Sequence, residues 1–125
     1  MIVTFVEPLC RNLCPLEAHV LNAAVDQLPA SQRPEILAVS VDVYANADAR
    51  VNLLRDVRKW ALVPQWRWAV GQPARLAAVW KRYKIGVSVT TKKIAGTTIN
   101  YITHTEAAYI IDATGHERAL FLWPF

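Results

Sequence analysis

Cys10-Arg11-Asn12-Leu13-Cys14-Pro15 holds the only two thiols of the chain, four residues apart. Before it runs Ile2-Val3-Thr4-Phe5-Val6, an apolar stretch that predicts a buried strand over 2–6, apolar on both faces and therefore central in its sheet. After it, Leu16 to Leu28 repeats apolar residues at helical spacing and predicts a helix from about Cys14 to Leu28. Leu21, Ala24, Val25 and Leu28 form its expected buried stripe. Pro15 suits the first turn, where a missing N–H loses no partner. The cysteines thus sit where a strand becomes a helix. Unpaired N–H groups and the positive end of the helix dipole favour a thiolate there. Spacing of one turn lets both sulfurs meet on one face, and the pair is open to three uses: a disulfide, thiol exchange, or two ligands for one metal ion.

The rest of the chain builds a fold around that turn. Glu35 to Asp42 reads as a second buried strand, so strand, helix and strand make a right-handed βαβ unit. A second helix is expected to open at Asn46 or Ala47 and run to about Leu62. Its inner face would carry Val51, Leu54, Val57 and Trp60 or Ala61, and Pro64 would end it. Gln65 to Val70 alternates as a third strand, placing Trp66 and Trp68 on one face. Ala74 to Tyr83 reads as a third helix with Leu76, Val79, Trp80 and Tyr83 inward. Then the period changes to strands: Val87-Ser88-Val89 and Thr98 to Ile102 flank a loop or hairpin at Lys92 to Gly96. Ala107 to Asp112 and Glu117 to Trp123 pair across an Ala113-Thr114-Gly115 turn. The expected architecture is α/β, a thioredoxin-like mixed sheet flanked by helices in one domain over residues 1–125.

Bulk properties narrow the function. A chain of 125 residues buries a core without needing a disulfide. No apolar run reaches the ~18 residues of a membrane-spanning helix, and no signal peptide is legible after Met1. The net charge is +4, but Lys81-Arg82-Tyr83-Lys84 and Lys92-Lys93 are too sparse for a nucleic-acid stripe. Ser40, Thr103 and Thr105 have no general base arranged beside them, and neither a phosphate loop nor a carboxylate pair points to a hydrolase. The peroxiredoxin pattern Pro-x-x-x-Thr-x-x-Cys is missing, since only Leu9 separates Pro8 from Cys10. His19 and His116 read as surface residues. Asp42 reads as a cap or turn residue, and Asp112 as the residue that shapes the turn to Gly115. His104 taken by itself reads as a core or turn histidine.

Taken together, Phe5, Cys10-x-x-x-Cys14-Pro15, Val39-Ser40-Val41-Asp42 and His104-Thr105 leading to Tyr109-Ile110-Ile111-Asp112-x-x-Gly115 resemble the Sco/SenC family over most of residues 2–122. Members are thioredoxin-fold proteins involved in copper delivery to cytochrome c oxidase. The resemblance implies one copper ion, Cu(I) or Cu(II), held by Cys10, Cys14 and His104. It also implies a metallochaperone role toward a copper-receiving subunit of a terminal oxidase, in an extracytoplasmic setting. Soft thiolates suit Cu(I), and an added imidazole lets the set hold Cu(II) as well. The alternative is a thiol–disulfide oxidoreductase in which Cys10 attacks and Cys14 resolves, with no need of His104. The chain departs from the family in filling the cysteine gap with Arg11-Asn12-Leu13, where Arg11 is expected to favour thiolate, and in placing Val43 after Asp42. The family's opening hairpin and closing helix are not apparent. Apolar surface left open in this way leads to the expectation of a homo-oligomer, or of a core cut from a longer protein.

Overall fold

A computed structural model describes residues 1–45 and 49–125. Its main sheet has five strands: β1 (Ile2–Val6), β2 (Ile36–Ser40), β3 (Trp66–Ala69), β6 (Ala107–Ile111) and β7 (Glu117–Leu122). They lie in the order β3-β2-β1-β6-β7, so β1 is the central strand. β1 pairs with β2, and β2 with β3, in parallel. β6 runs antiparallel to β1, with Ile2 opposite Ile110 and Thr4 opposite Ala108, and β7 continues antiparallel along β6. Among the described residues the α-helices are α1 (Leu13–Asp26), α2 (Ala49–Asp56) and α3 (Pro73–Arg82). The remaining strands, β4 (Val87–Ile94) and β5 (Thr97–His104), form a separate two-stranded hairpin. Ala95 and Gly96 turn it, both at positive φ, as the tight turn of a twisted hairpin requires. The expected thioredoxin-like mixed sheet is therefore present. Of the loop or hairpin expected at Lys92 to Gly96, the hairpin is present: Lys92 to Ile94 extend β4, and the turn is confined to Ala95 and Gly96.

Alternation along β1 divides the core. Ile2 and Val6 point to one side, against Ala18, Leu21 and Val25 of α1 and Trp66 of β3. Val3 and Phe5 point to the other side, against Leu76 and Trp80 of α3 and Tyr109 of β6. Phe5 is fully buried and meets the rings of Tyr83 and Tyr109 at 5.4 and 6.2 Å between centroids. Trp66 and Trp68 share a face, as alternation requires, and stack at 5.6 Å.

The helix faces depart from expectation in instructive ways. α1 ends at Asp26, so Leu28 lies beyond it, and both Ala24 and Leu28 are exposed. The inward stripe is instead Cys14, Glu17, Ala18, Leu21, Asn22 and Val25. Asn22 is tolerated inside because it closes a hydrogen-bond set. Its Oδ1 accepts from Trp66 Nε1 at 2.7 Å and from the Val63 N–H at 3.3 Å, and its Nδ2 donates to the Ala61 carbonyl at 3.0 Å. In α2 the buried residue is Leu53, while Val51 is 70% exposed and Leu54 is exposed too. The helix tightens to a 3₁₀ turn over Val57–Trp60, which Ala61 ends in the left-handed region. Leu53 and Val57, one helical turn apart, carry the inward face, so Val57 is buried as expected while Val51 and Leu54 are not. The expected start at Asn46 or Ala47 lies outside the described residues. On the outer edge strand, Leu120, Phe121 and Leu122 are exposed, which is where the sheet carries open apolar surface. No helix among the described residues is long and apolar enough to cross a membrane.

Asn22→Ala should strip partners from two backbone groups and one indole at once. Each buried group left unpaired costs ~1–3 kcal/mol. A loss of ~3 kcal/mol in urea unfolding is expected, whereas a loss below ~1 kcal/mol would show that the Asn22 set does not hold β3 to α1.

Candidate metal centre

β1 ends at Val6, and the chain turns at once. The Glu7 carboxylate accepts the Leu9 N–H at 2.9 Å, and the Glu7 carbonyl accepts the Cys10 N–H at 3.0 Å. This turn sets Cys10 just ahead of α1, where its Sγ accepts the Cys14 N–H at 3.4 Å. A sulfur here does what an N-cap oxygen does elsewhere, since it satisfies one of the helix's orphan donors. Both cysteines are free thiols; Cys10 is half-buried and Cys14 fully buried.

Their environments drive the two thiols apart. Cys10 is lowered to about 5, first by its hydrogen bond with Cys14 and then by backbone N–H groups of the opening turn, against the opposing effect of burial. Arg11, expected to favour that thiolate, is exposed. Cys14 is raised far above the ordinary thiol range, by the same bond with Cys10, by burial and by the nearby Glu106 carboxylate. At neutral pH the pair is a thiolate, Cys10, and a thiol, Cys14. Burial likewise lifts Glu7 to about 7.

His104 is the last residue of β5 and returns beside α1 although it is 90 residues from Cys14 in sequence. Its Nε2 lies 3.7 Å from Cys14 Sγ, and its side chain is only 3% exposed. The Nδ1 is 3.1 Å from the Thr105 carbonyl. A carbonyl only accepts, so Nδ1 donates to it, and Nε2 is the nitrogen that faces the sulfur. Glu106 completes the group: its Oε1 is 3.4 Å from His104 Nε2 and 4.0 Å from Cys14 Sγ. Cys14, His104 and Glu106 offer donor atoms all within 4.8 Å of one another, while Cys10 stands outside that triangle, one turn toward solvent.

Glu106 and Glu17 are the site residues that sequence reasoning missed. The signal for the first was alternation: in extended chain, residues two apart share a face, so Glu106 follows His104. For the second it was helical spacing, because Glu17 lies three residues past Cys14 on the buried side of α1. Glu17 is 1% exposed and hydrogen-bonds to the Thr4 hydroxyl, which also donates to the Ala107 carbonyl at 3.0 Å. One oxygen each of Glu17 and Glu106 is buried with no partner. That hydroxyl has a single proton for several acceptors, so a protonated Glu17 supplies the missing donor. Burial, then the neighbouring Glu106, raises Glu17 to about 9.

The other residues marked in the sequence lie elsewhere. His19 and His116 are exposed. Asp42 accepts the Tyr44 N–H at 2.8 Å in a turn. Asp112 accepts the N–H groups of Thr114 and His116 and binds Arg118 at 2.6 Å, which lowers it to about 2 and holds the β6–β7 turn. A cleft of about 910 Å³ opens between the cysteine loop, the start of α2 and β5; Cys10, Asp42, Tyr44 and Tyr101 line it.

Thioredoxin-like topology with a Cys-x-x-x-Cys-Pro turn opposite a late histidine defines the class. A sequence model of the SCO1/SenC family matches residues 1–122, and the chain belongs to that family. Among solved structures it is similar to Arabidopsis thaliana ScoI with copper bound, at 18% identity and a TM-score of 0.80, covering 99% of this chain and 74% of that one. It is also similar to Bradyrhizobium japonicum ScoI with copper bound, at 19% identity and 0.75, covering 96% and 73%. Yeast Sco1 with copper bound follows the same fold at 17% identity and 0.79, covering 99% and 67%. Nothing among the curated protein sequences matches.

Two outcomes follow from the split ionisation. Alkylation by iodoacetamide at pH 6 should modify Cys10 and spare Cys14, with a pH–rate midpoint near 5 that rises in Cys14→Ala. A midpoint near the ~8.5 of a free thiol would contradict it. For Glu17, a raised carboxyl binds its proton in the native state, so its stabilisation is complete below the unfolded value of 4.5 and is lost as pH rises toward about 9. Cys10, shifted the other way, adds stability as pH rises over 5–9 and masks part of this trend. The stability of the natural chain minus that of Glu17→Gln isolates the carboxyl. That difference should fall steadily from pH 5 to pH 9 in urea unfolding, and a flat difference would refute the assignment.

Proposed function

We propose that the protein is a copper-binding metallochaperone that holds one copper ion through Cys10, Cys14 and His104 and passes it to a copper-receiving subunit of a terminal oxidase during cytochrome c oxidase assembly. The observation that carries this is the 3.7 Å approach of His104 Nε2 to Cys14 Sγ, with the ring's other nitrogen committed to a backbone carbonyl. A buried imidazole held by its far nitrogen, with its near nitrogen facing a thiol, is the arrangement of a metal-ligating histidine. Two soft sulfurs beside one nitrogen suit both oxidation states of copper. Binding would shift the buried Cys14 thiol to thiolate and release its proton. Cys10, more open and already ionised, faces the cleft and would be the ligand a recipient's thiol meets first. Solved relatives described as copper-bound share the fold. An extracytoplasmic setting goes with this role.

A second reading, thiol–disulfide exchange, draws support from the same two sulfurs. A low-pKa, accessible Cys10 with a buried partner one turn away is the usual attacking and resolving pair. It needs neither metal nor His104.

Copper titration of the reduced protein with a His104→Ala variant alongside separates the two. One copper per chain, a thiolate-to-Cu(II) charge-transfer band, and a loss of at least roughly tenfold in Cu(II) affinity on removing His104 are expected. Equal affinity and an unchanged spectrum in His104→Ala would reject the three-ligand site. Metal-free reduction of a protein disulfide, abolished by Cys10→Ser and indifferent to His104, would then favour exchange.

A further inference from the structure

We propose that Glu106 is an additional donor, an oxygen ligand that joins Cys14 and His104 when the site takes divalent copper. This rests on the copper-binding reading above and extends its ligand set by a residue that follows His104 by two. Three donor atoms, Cys14 Sγ, His104 Nε2 and Glu106 Oε1, form a triangle with sides of 3.7, 3.4 and 4.0 Å. The point equidistant from them lies about 2.15 Å from each, between the ~2.0–2.2 Å of metal–nitrogen and metal–oxygen bonds and the ~2.3 Å of metal–sulfur bonds. The triangle therefore has the size of a coordination sphere before any ion enters.

The backbone that carries Glu106 is fixed on both sides. The Thr105 N–H donates to the Gly86 carbonyl at 2.9 Å, and the Thr105 hydroxyl accepts the Gly86 N–H at 3.1 Å. The Glu106 carbonyl accepts the Trp123 N–H at 3.1 Å. Its side chain is 12% exposed, and its Oε2 is buried without a hydrogen-bond partner. The carboxyl group is thus fixed with Oε1 turned toward Cys14 Sγ and His104 Nε2, and a cation in the triangle would meet all three atoms there.

Donor chemistry sets which ion benefits. Carboxylate oxygen is a hard ligand and strengthens a divalent ion, whereas monovalent copper is held by the soft sulfurs of Cys10 and Cys14. Glu106 therefore acts as a selector between oxidation states, raising affinity for Cu(II) and leaving Cu(I) almost untouched.

The test compares the natural chain with Glu106→Gln, which keeps the size of the side chain, and Glu106→Asp, which keeps the charge on a shorter arm. Each is loaded with Cu(II) alone, and separately with Cu(I) under anaerobic conditions, in competition with chelators; apo melting points are taken alongside. Glu106→Gln should weaken Cu(II) by about 10- to 100-fold, the range seen when a group that tunes a metal site is lost. It should also change the g and copper hyperfine values in the electron paramagnetic resonance spectrum, and alter Cu(I) affinity less than about threefold. If Glu106→Gln does not fold, Glu106→Asp should show the same spectral change with a smaller loss of affinity. An unchanged Cu(II) spectrum and affinity would overturn the proposal, as would equal weakening of both ions, which marks a merely structural role. Failure of the natural chain to bind copper, or binding indifferent to His104, would instead strike the underlying reading, and the proposal with it.

Discussion

The antiparallel pairing of β6 on β1 is the constraint from which the rest of the site follows. β1 leads into the cysteine turn at its C-terminal end, and the register Thr4 opposite Ala108 brings the beginning of β6 to that same end. Whatever residues precede β6 must then lie beside the cysteines. They are His104 and Glu106, so an imidazole and a carboxylate arrive at Cys14 without any long loop to order. Thr4 reinforces the register from inside the core, with its hydroxyl joined to both the Ala107 carbonyl and Glu17 of α1. Strand, helix and returning strand meet at one polar point in an otherwise apolar layer. A slip of one residue would turn Thr4 and Ala108 to the opposite face and pull the group apart.

Much of this was legible in the sequence because the signals were local. An apolar pentapeptide, two cysteines and a proline before a helical repeat define the turn; a buried apolar run marks β2, alternation marks β3, and the stretches on either side of Ala113-Thr114-Gly115 mark β6 and β7. His104 was legible only through the family pattern that it completes. What escaped was polar and buried. Glu17 and Asn22 occupy inward positions of α1, where a periodicity rule expects apolar residues, and Ala24 and Leu28 were assigned to the core in place of them. Such residues enter a core only when partners from distant segments receive them, here Thr4 for Glu17 and Ala61, Val63 and Trp66 for Asn22. No sequence window contains that information. In α2 the expected Val51, Leu54 and Val57 step by three, whereas the buried pair Leu53 and Val57 steps by four, so of the expected three only Val57 lies inside.

The two thiols divide their labour through position alone. Cys10 caps the helix, receives N–H groups and ionises; Cys14 lies under the sheet, gives its hydrogen bond to Cys10 and stays neutral. The outer sulfur is thus ready to meet a partner, while the inner one waits for a charge that justifies losing its proton. On the proposed reading, a cation bound between Cys14 and His104 would provide that charge. The same asymmetry would suit ion transfer or thiol exchange, and His104 distinguishes the two, because exchange has no use for an imidazole held in that direction.

The proposed copper site requires His104 to reach the ion held at Cys14. A crystal of the copper-loaded protein, with anomalous scattering recorded at the copper edge, locates the ion directly. The peak should fall within bonding distance of both Cys14 Sγ and His104 Nε2. A peak held by the cysteines alone, with the His104 ring turned away beyond bonding reach, would contradict it.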